Sequence, residues 1–199
     1  MHQGVQPENP MNLRFPRSAA VLVALTLGVL PCADAIEYKQ VNETASTISF
    51  TYKQFSSRVY GTFGKFEGTL DFDTANPSAA HAVFTIELDS IDAGSSDANE
   101  ELKKPAWFDT ATYPKATFES TAVKALSNNR YLITGNLTLK KITRTVQVPV
   151  LLKSQKAIGI FDGQLTLKRS DFKIGEGEWG DTVVSDDINI RFRMVAPEQ

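Results

Sequence analysis

Hydrophobic and polar residues alternate along a series of segments that runs from residue 46 to residue 195. In STISFTYKQF, for example, Ile48, Phe50 and Tyr52 share one face of a strand and the polar residues between them share the other. This period of two predicts strands with one buried face. Turn residues separate eight such segments, which cover residues 46–55, 60–73, 82–91, 115–125, 130–139, 145–152, 158–168 and 183–195. Residues 36–41 form a further candidate for a short edge strand.

One stretch, DANEELKKPAWFDTATYPKATF, breaks this alternation. Mostly good helix formers run from Ala98 to Lys104, with Asp97 placed to cap them, so a short helix is predicted between the third and fourth strands. Pro105 ends that helix, because proline lacks the N–H that an α-helix needs and has a fixed φ. Trp107 and Phe108 follow directly, and two such large rings need an apolar surface. The stretch therefore predicts a lid, with both rings packed against or into the open end of a barrel.

The regular strand spacing and the lack of a second helical region predict an all-β, eight-stranded, antiparallel up-and-down barrel, since closure leaves no bare sheet edges. Gly64 and Gly68 lie inside a long predicted strand, where glycine commonly marks a bend. A barrel of this size can be filled by side chains or can hold one ligand. A two-sheet sandwich fits the same periodicity and is the alternative fold.

Residues 1–35 read as a secretory signal peptide. Arg14 and Arg17 give a positive start, an apolar run extends from Ser18 to Leu30, and Ala33-Asp34-Ala35 fits a cleavage site. The apolar run is short of the roughly 20 residues that a membrane-spanning helix needs. Residues 36–199 are thus predicted to form a single exported domain, soluble in the periplasm.

Cleavage at that site would remove Cys32 and His2 and leave His81 as the one imidazole. No thiol nucleophile, Cys/His zinc site or multi-histidine metal site can be built from the remainder. His81 lies in a polar turn and is predicted at the surface. The chain carries a net charge of −2 with acids and bases interspersed, which argues against a nucleic-acid partner. These observations predict a protein that is not an enzyme and that has no catalytic residues, no metal and no cofactor.

Five motifs occur in order across nearly the whole predicted domain: ISFTYKQF, VYGTFGKFEGTLDFD, SIDAGSSDANEELKKPAWFDTATYPKATFES, YLITGNLTLKKITRTVQVPV and KRSDFKIGEGEW. Together they resemble the YceI family of periplasmic proteins, a lipocalin-like group also called polyisoprenoid-binding. The family commonly has D-x-H-L and then FF or FD at the helix, where this chain has DANEEL and then Trp107-Phe108-Asp109. The resemblance implies a lipocalin-like barrel whose apolar interior holds a long isoprenoid or a similar lipid.

The predicted ligand-binding residues are large apolar side chains on the faces read as inward, on the lid and in the glycine-rich connection that precedes the last strand. Each could equally be an ordinary core residue. They are Phe50, Tyr52, Phe66, Phe84, Trp107, Phe108, Phe118, Leu137, Phe161, Phe172 and Trp179. Arg169 with Asp171, and Asp186 and Asp187 with Arg191, are interpreted as charge pairs at the surface or at the barrel end.

The sequence thus predicts a periplasmic protein that binds a polyisoprenoid, an isoprenoid quinone or a similar long-chain lipid, as a monomer or homodimer, with a transient contact to a membrane or membrane protein. Two alternatives stay open. One is a filled barrel that serves as a scaffold or stress protein and binds a membrane partner. The other is an enzyme acting on a lipid or quinone, for which only His81 or an acid in an apolar setting could be the general base.

Overall fold

The computed structural model describes Met1, Gly4, residues 35–177 and residues 183–199. Its contacts divide the chain into the units Met1–Ala33 and Asp34–Gln199, and the fold given below is that of the second unit. The predicted signal peptide falls almost wholly outside the described residues, so it stays a prediction.

The described residues form one antiparallel sheet of eleven strands, in the order β1-β4-β5-β7-β8-β9-β10-β11-β2-β3-β6. The strands are β1 Glu37–Gln40, β2 Thr47–Gln54, β3 Ser57–Phe63, β4 Phe66–Asp73, β5 His81–Glu87, β6 Ile91–Asp92, β7 Lys115–Ala125, β8 Arg130–Leu139, β9 Ile142–Gln155, β10 Ile158–Lys168 and β11 Asp187–Pro197. One α-helix, α1 Ser96–Lys103, and four 3-10 helices, Glu43–Ala45, Pro77–Ala79, Leu88–Ser90 and Arg169–Phe172, complete the described secondary structure. No helix within these ranges is both long enough and apolar enough to cross a membrane.

The predicted all-β barrel with a helix inserted after the third predicted strand is confirmed, and the sandwich alternative is wrong because the strands form one sheet. The predicted count of eight strands is also wrong. Three differences account for the eleven observed: the edge segment forms β1, two residues form β6, and the predicted strand 60–73 is divided into β3 and β4.

The division falls at Gly64 and Lys65, and it changes which residues face inward. Phe63 on β3 and Leu70 on β4 both line the interior, although a continuous strand would place an odd and an even residue on opposite faces. The Gly64 N–H donates to the Ser90 carbonyl at 3.0 Å, and the Lys65 N–H donates to the Ser90 hydroxyl at 3.0 Å. The bend is thus fixed by the segment that precedes α1.

The same bend closes the barrel. β3 is the second strand from one margin of the sheet, and β4 is the second strand from the other. Because only Gly64 and Lys65 separate β3 from β4, the two sides of the sheet must curl round and meet. Closure therefore depends on this covalent connection and on the bonds from Gly64 and Lys65 to Ser90.

Four rings seal one end of the barrel, here called the aromatic end: Tyr38, Phe72, Tyr131 and Phe161. The centroid of the Phe72 ring lies 5.0 Å from that of Tyr131 and 5.3 Å from that of Phe161, both in edge-to-face geometry. The Tyr38 ring meets Phe161 edge-on at 5.3 Å and is fully buried. Such pairs contribute about 0.5–1.5 kcal/mol each beyond their buried area, so this end is a well-packed core.

Ser46 joins the first part of the chain to β11 near this end. Its buried hydroxyl accepts the Val195 N–H at 2.8 Å and donates to the Asn42 carbonyl at 2.6 Å. The Asn42 N–H in turn donates to the Val195 carbonyl at 2.7 Å. A single side chain thus satisfies two backbone groups where the last strand meets the first.

We expect Ser46→Ala to lower the free energy of unfolding by about 1–3 kcal/mol, because the Val195 N–H would stay buried without an acceptor. Chemical denaturation measures the change. Ser49→Ala is the matched control, since the Ser49 hydroxyl donates to the Arg191 carbonyl at 3.3 Å in an exposed position. Equal effects of the two substitutions would contradict the role given to Ser46.

Candidate functional site

The barrel encloses a cavity of about 630 Å³. Its wall is built from the inward residues of the long strands and from apolar residues of the lid, so the interior is not filled by side chains. Among the described lining residues the amide and charged side chains are Gln54, Glu101, Lys168 and Arg169. All four lie at the end opposite the aromatic end, which is called the lid end below because α1 and the residues after it cover it.

Glycines on the inner face of the sheet keep the cavity wide. A β-carbon added at these positions would lie 2.1 to 2.4 Å from a phenylalanine ring carbon, closer than real β-carbon contacts allow. The pairs are Gly61 with Phe50, Gly68 with Phe84, Gly135 with Phe118, and Gly163 with Phe192. Each ring therefore lies against the backbone of a neighbouring strand instead of projecting into the cavity.

The lid segment, Ser95 to Thr110, begins with the cap of α1. The Ser95 hydroxyl accepts the Ala98 N–H at 3.2 Å, so Ser95 is the N-cap and the prediction of Asp97 in that role is wrong. Asp97 instead lies in the first turn, where a carboxylate also stabilises the positive end of the helix dipole. The misassignment arose because both residues are of a type that caps helices.

The chain folds back on itself after α1 and so directs two rings inward. The Phe108 N–H donates to the Leu102 carbonyl at 2.9 Å, and the Thr110 N–H donates to the Lys103 carbonyl at 3.1 Å. These bonds satisfy carbonyls that a helix end otherwise leaves unpaired. The return brings Trp107 and Phe108 onto the cavity wall, as the sequence predicted for the lid.

Trp107 is a buried side chain of the lid, with 8% of its surface exposed. Its ring lies over Gly175, where an added β-carbon would be 2.6 Å from the ring and where φ is +69°. The Gly175 N–H also donates to the Ala106 carbonyl at 2.7 Å. A residue with a side chain at 175 would be strained in its backbone and would collide with the indole, so glycine is required there.

The indole N–H of Trp107 donates to Glu101 Oε1 at 3.3 Å. Lys104, whose ammonium donates to the same carboxylate, lowers the pKa of Glu101; burial opposes this effect, and the Trp107 N–H adds to it. Glu101 is therefore ionised at neutral pH and holds the indole at the edge of the cavity.

Two cations fix the segment after β10 at the lid end. Buried Arg169 donates to the carbonyls of Ile174 at 2.9 Å and Gly175 at 3.0 Å. Lys140 donates to the carbonyl of Pro105 at 3.1 Å and to that of Lys173 at 3.2 Å. Of the two predicted positions for Arg169, the surface and the barrel end, the structure shows the barrel end, where the guanidinium is buried and serves as a multiple donor to backbone carbonyls.

Nine of the eleven predicted ligand-binding residues lie on the cavity wall. They are Phe50, Tyr52, Phe84, Trp107, Phe108, Phe118, Leu137, Phe161 and Phe172. Phe66 is buried in the main core but is not among the lining residues, since it begins β4 directly after the bend. Trp179 lies outside the described residues. Contact of any of them with a ligand stays a prediction.

Sequence reasoning missed two aromatic residues of the wall, Phe63 and Phe192. Phe63 was missed because the alternation was followed through Gly64 and Lys65 without a change of phase. The position of Phe192 could have been found, since it lies directly opposite Gly163 in the β10–β11 pairing. An inward glycine opposite an inward phenylalanine is a usable signal for a ring that packs against the wall.

The geometry defines a class of protein: a lipocalin-like barrel with an internal apolar cavity, sealed at one end by aromatic rings and covered at the other by a helical lid. A sequence profile of the YceI-like domain matches residues 39–196. The chain belongs to this family, as its motifs predicted.

Relatives and solved structures agree with that assignment. Protein YceI of Salmonella newport is 36% identical over 151 residues, which cover 71% of this chain and 78% of the relative. The crystal structure of Burkholderia cenocepacia BcnA superposes with a TM-score of 0.77 at 39% identity and covers 79% of this chain and 99% of BcnA. A polyisoprenoid binding domain from Saccharophagus degradans has the same fold, with a TM-score of 0.61 at 18% identity over 82% of this chain and 99% of that domain.

Gly163→Ala should reduce the space in the cavity without unfolding the barrel. The new methyl group would meet the Phe192 ring, which lines the cavity, so the ring has to shift within the wall. We expect weaker binding of an apolar fluorescent dye and a loss of about 1–3 kcal/mol in the free energy of unfolding. Gly64→Ala is the control, because its β-carbon would meet only the Ser90 carbonyl oxygen, at 3.6 Å. Unchanged dye binding in Gly163→Ala would contradict the account of the wall.

Proposed function

We propose that this chain binds one long-chain apolar lipid inside its barrel, of the class of polyisoprenoids, isoprenoid quinones or similar molecules. The observation that carries the proposal is the cavity of about 630 Å³ with its almost wholly apolar wall. Sites for small molecules are commonly concave, mostly apolar and about 300–1,000 Å³ in volume. The few polar groups lie together at the lid end, which suits a molecule with an apolar chain and a polar head.

The size of the cavity itself favours an occupant. Protein interiors are closely packed, with few voids larger than a water molecule. An empty space costs stability because the atoms that line it lose their contacts. A stable barrel with this interior is therefore expected to hold a ligand or to admit solvent at one end.

Exchange with a membrane sets the useful range of affinity. Burying each CH₂ group from water contributes about 0.8 kcal/mol, so a long prenyl chain would bind too tightly to leave if water were the only competitor. A bilayer offers the same chain a comparable apolar environment. The net preference is the small difference between two apolar surroundings, which suits a carrier that both takes up and releases its ligand.

The lid end is where the ligand's head group would lie. Gln54, Glu101, Lys168 and Arg169 border the cavity there. Of these, Arg169 donates hydrogen bonds to backbone carbonyls. The Lys168 Nζ lies 3.2 Å from Asp187 Oδ1 and 3.5 Å from Asp186 Oδ2. These fixed groups would orient a polar head beneath the lid while the chain extends toward the aromatic end.

The Saccharophagus domain named for polyisoprenoid binding supports this ligand class, and the apolar N-terminal run supports export to the periplasm.

The position of His81 favours a binding role over an enzymatic one. His81, the candidate base, lies at the exposed start of β5 with 51% of its side chain accessible, and its Nε2 is 3.6 Å from Glu119 Oε1. It is not among the cavity-lining residues. The scaffold alternative requires a barrel filled by side chains, and the cavity argues against that alternative.

Mass spectrometry of organic extracts tests the ligand class directly. Protein purified from the compartment in which it accumulates, without detergent, should yield a prenyl lipid or isoprenoid quinone in about one-to-one ratio with the protein. A second exported protein of similar size, purified in parallel, controls for lipid carried over from membranes. An extract with no lipid above that control would move the assignment to a scaffold.

Trp107→Ala should weaken retention of a bound prenyl lipid more than it lowers the melting temperature. The indole covers the cavity at the lid end, so its removal opens a path for the ligand while the strands keep their pairing. We expect lipid dissociation to be about tenfold faster, measured by transfer to acceptor vesicles. Trp107→Phe keeps an aromatic ring over Gly175 and loses the bond to Glu101. Its rate of lipid dissociation should therefore lie between that of the parent and that of Trp107→Ala. A fall in melting temperature with unchanged dissociation would make Trp107 a core residue only.

A further inference from the structure

The hairpin that joins β2 to β3 exposes two large aromatic side chains. Phe55 is 73% exposed and Tyr60 is 65% exposed. Phe55 is the first residue of a two-residue turn and has a φ of +53°, a conformation that glycine adopts readily and phenylalanine seldom does. An exposed ring at a strained position contributes little to the fold.

The same hairpin places two cations opposite each other. Lys53 and Arg58 are direct partners in the antiparallel register, and both are exposed. Like charges in this arrangement destabilise a strand pair. Within residues 35–177 and 183–199 neither cation forms an ion pair with a carboxylate.

This hairpin lies beside the lid end of the cavity. Tyr52 and Gln54, on the strand that leads to the turn, line the cavity. The Phe55 N–H donates to the Val183 carbonyl at 2.7 Å, and Val184, which also lines the cavity, pairs with Gln54. The exposed rings and the two cations are thus next to the polar end of the cavity.

We propose that the tip of the β2–β3 hairpin binds an anionic lipid bilayer, with Phe55 inserted among the acyl chains and Lys53 and Arg58 on the head groups. This contact would serve to transfer lipid between the bilayer and the cavity, and that role rests on the proposed function. Three unfavourable local features meet at this tip: a strained backbone, an exposed ring and two facing cations that form no ion pair among the described residues. An anionic bilayer has an apolar interior and a negative surface, so it stabilises the exposed ring and the two cations together.

A bilayer fits this patch better than a folded protein does. A stable protein interface buries about 800 Å² on each partner, with an apolar centre surrounded by a polar rim. Two separate rings at a hairpin tip are small by that measure. Membrane interfaces, in contrast, commonly take up single aromatic side chains with cations beside them.

Co-sedimentation with vesicles tests the proposal on the whole protein. It should bind vesicles of phosphatidylethanolamine and phosphatidylglycerol, and bind vesicles of phosphatidylcholine much more weakly. Phe55→Gly should reduce binding to anionic vesicles about tenfold, since the ring is lost. The pair Lys53→Glu with Arg58→Glu should reduce it at least as much and remove its dependence on salt.

A stability measurement and a control variant separate a membrane-binding role of Phe55 from a structural one. Phe55→Gly should have a melting temperature equal to or above that of the parent, because glycine relieves the backbone strain at this φ. Leu126→Ser is the matched control: Leu126 is 46% exposed at the turn between β7 and β8, next to the aromatic end, and its loss should leave vesicle binding unchanged.

The outcomes also distinguish this proposal from the proposed function. Failure of the parent to bind anionic vesicles, or equal binding by Phe55→Gly, would overturn the bilayer contact even if the cavity takes up a fluorescent polyprenol. Vesicle binding that depends on Phe55, in a protein whose cavity takes up no polyprenol, would uphold the contact and remove the lipid-carrying role. If both proposals hold, Phe55→Gly takes up polyprenol from vesicles more slowly but reaches the same final occupancy.

Discussion

Packing of an aromatic ring against the glycine of a neighbouring strand is the contact on which the cavity depends. A sheet that curls this tightly needs positions without a β-carbon, and glycine in a strand leaves a bare stretch of backbone. The ring covers that backbone. Because Phe50, Phe84, Phe118 and Phe192 are held in this way, the barrel has an almost wholly apolar wall and still keeps an open interior. The same contact thus permits the curvature and preserves the space.

The two ends of the barrel are held by different kinds of contact. At the aromatic end four rings pack edge to face, and Ser46 fixes the last strand to the start of the domain. At the lid end a second apolar cluster, which includes Trp107 and Phe172, is joined by directional contacts: an indole over a glycine, and cations that donate to backbone carbonyls. These directional contacts are separate from the pairing of the strands. A ligand that binds only the closed form would stabilise the lid by mass action.

Much of this arrangement could be predicted from the sequence, because the alternation in β2, β5 and β8 to β11 is regular and one face of each strand is buried. The inward facing of Phe50, Phe84, Leu137 and Phe161 follows from it directly. The change of phase at Gly64 and Lys65 could not be predicted, since a bend that shifts the alternation by one residue is fixed by contacts with Ser90, far away in the chain. The burial of Arg169 could not be predicted for a similar reason: only the folded chain brings carbonyls around its guanidinium.

Several departures from simple local rules lie at or beside the lid end. Phe55 ends a segment whose alternation predicts a strand residue, yet it occupies a turn with positive φ. Arg169 is a buried cation, and Lys53 faces Arg58. The aromatic end has a departure of its own, since Lys156 has a φ of +56° in the turn between β9 and β10. Sequences that specify a stable fold usually keep local preference and tertiary structure in agreement, and they depart from it where function requires another arrangement. At the β2–β3 hairpin the positive φ and the facing cations adjoin an exposed ring, and the proposed bilayer contact rests on that combination.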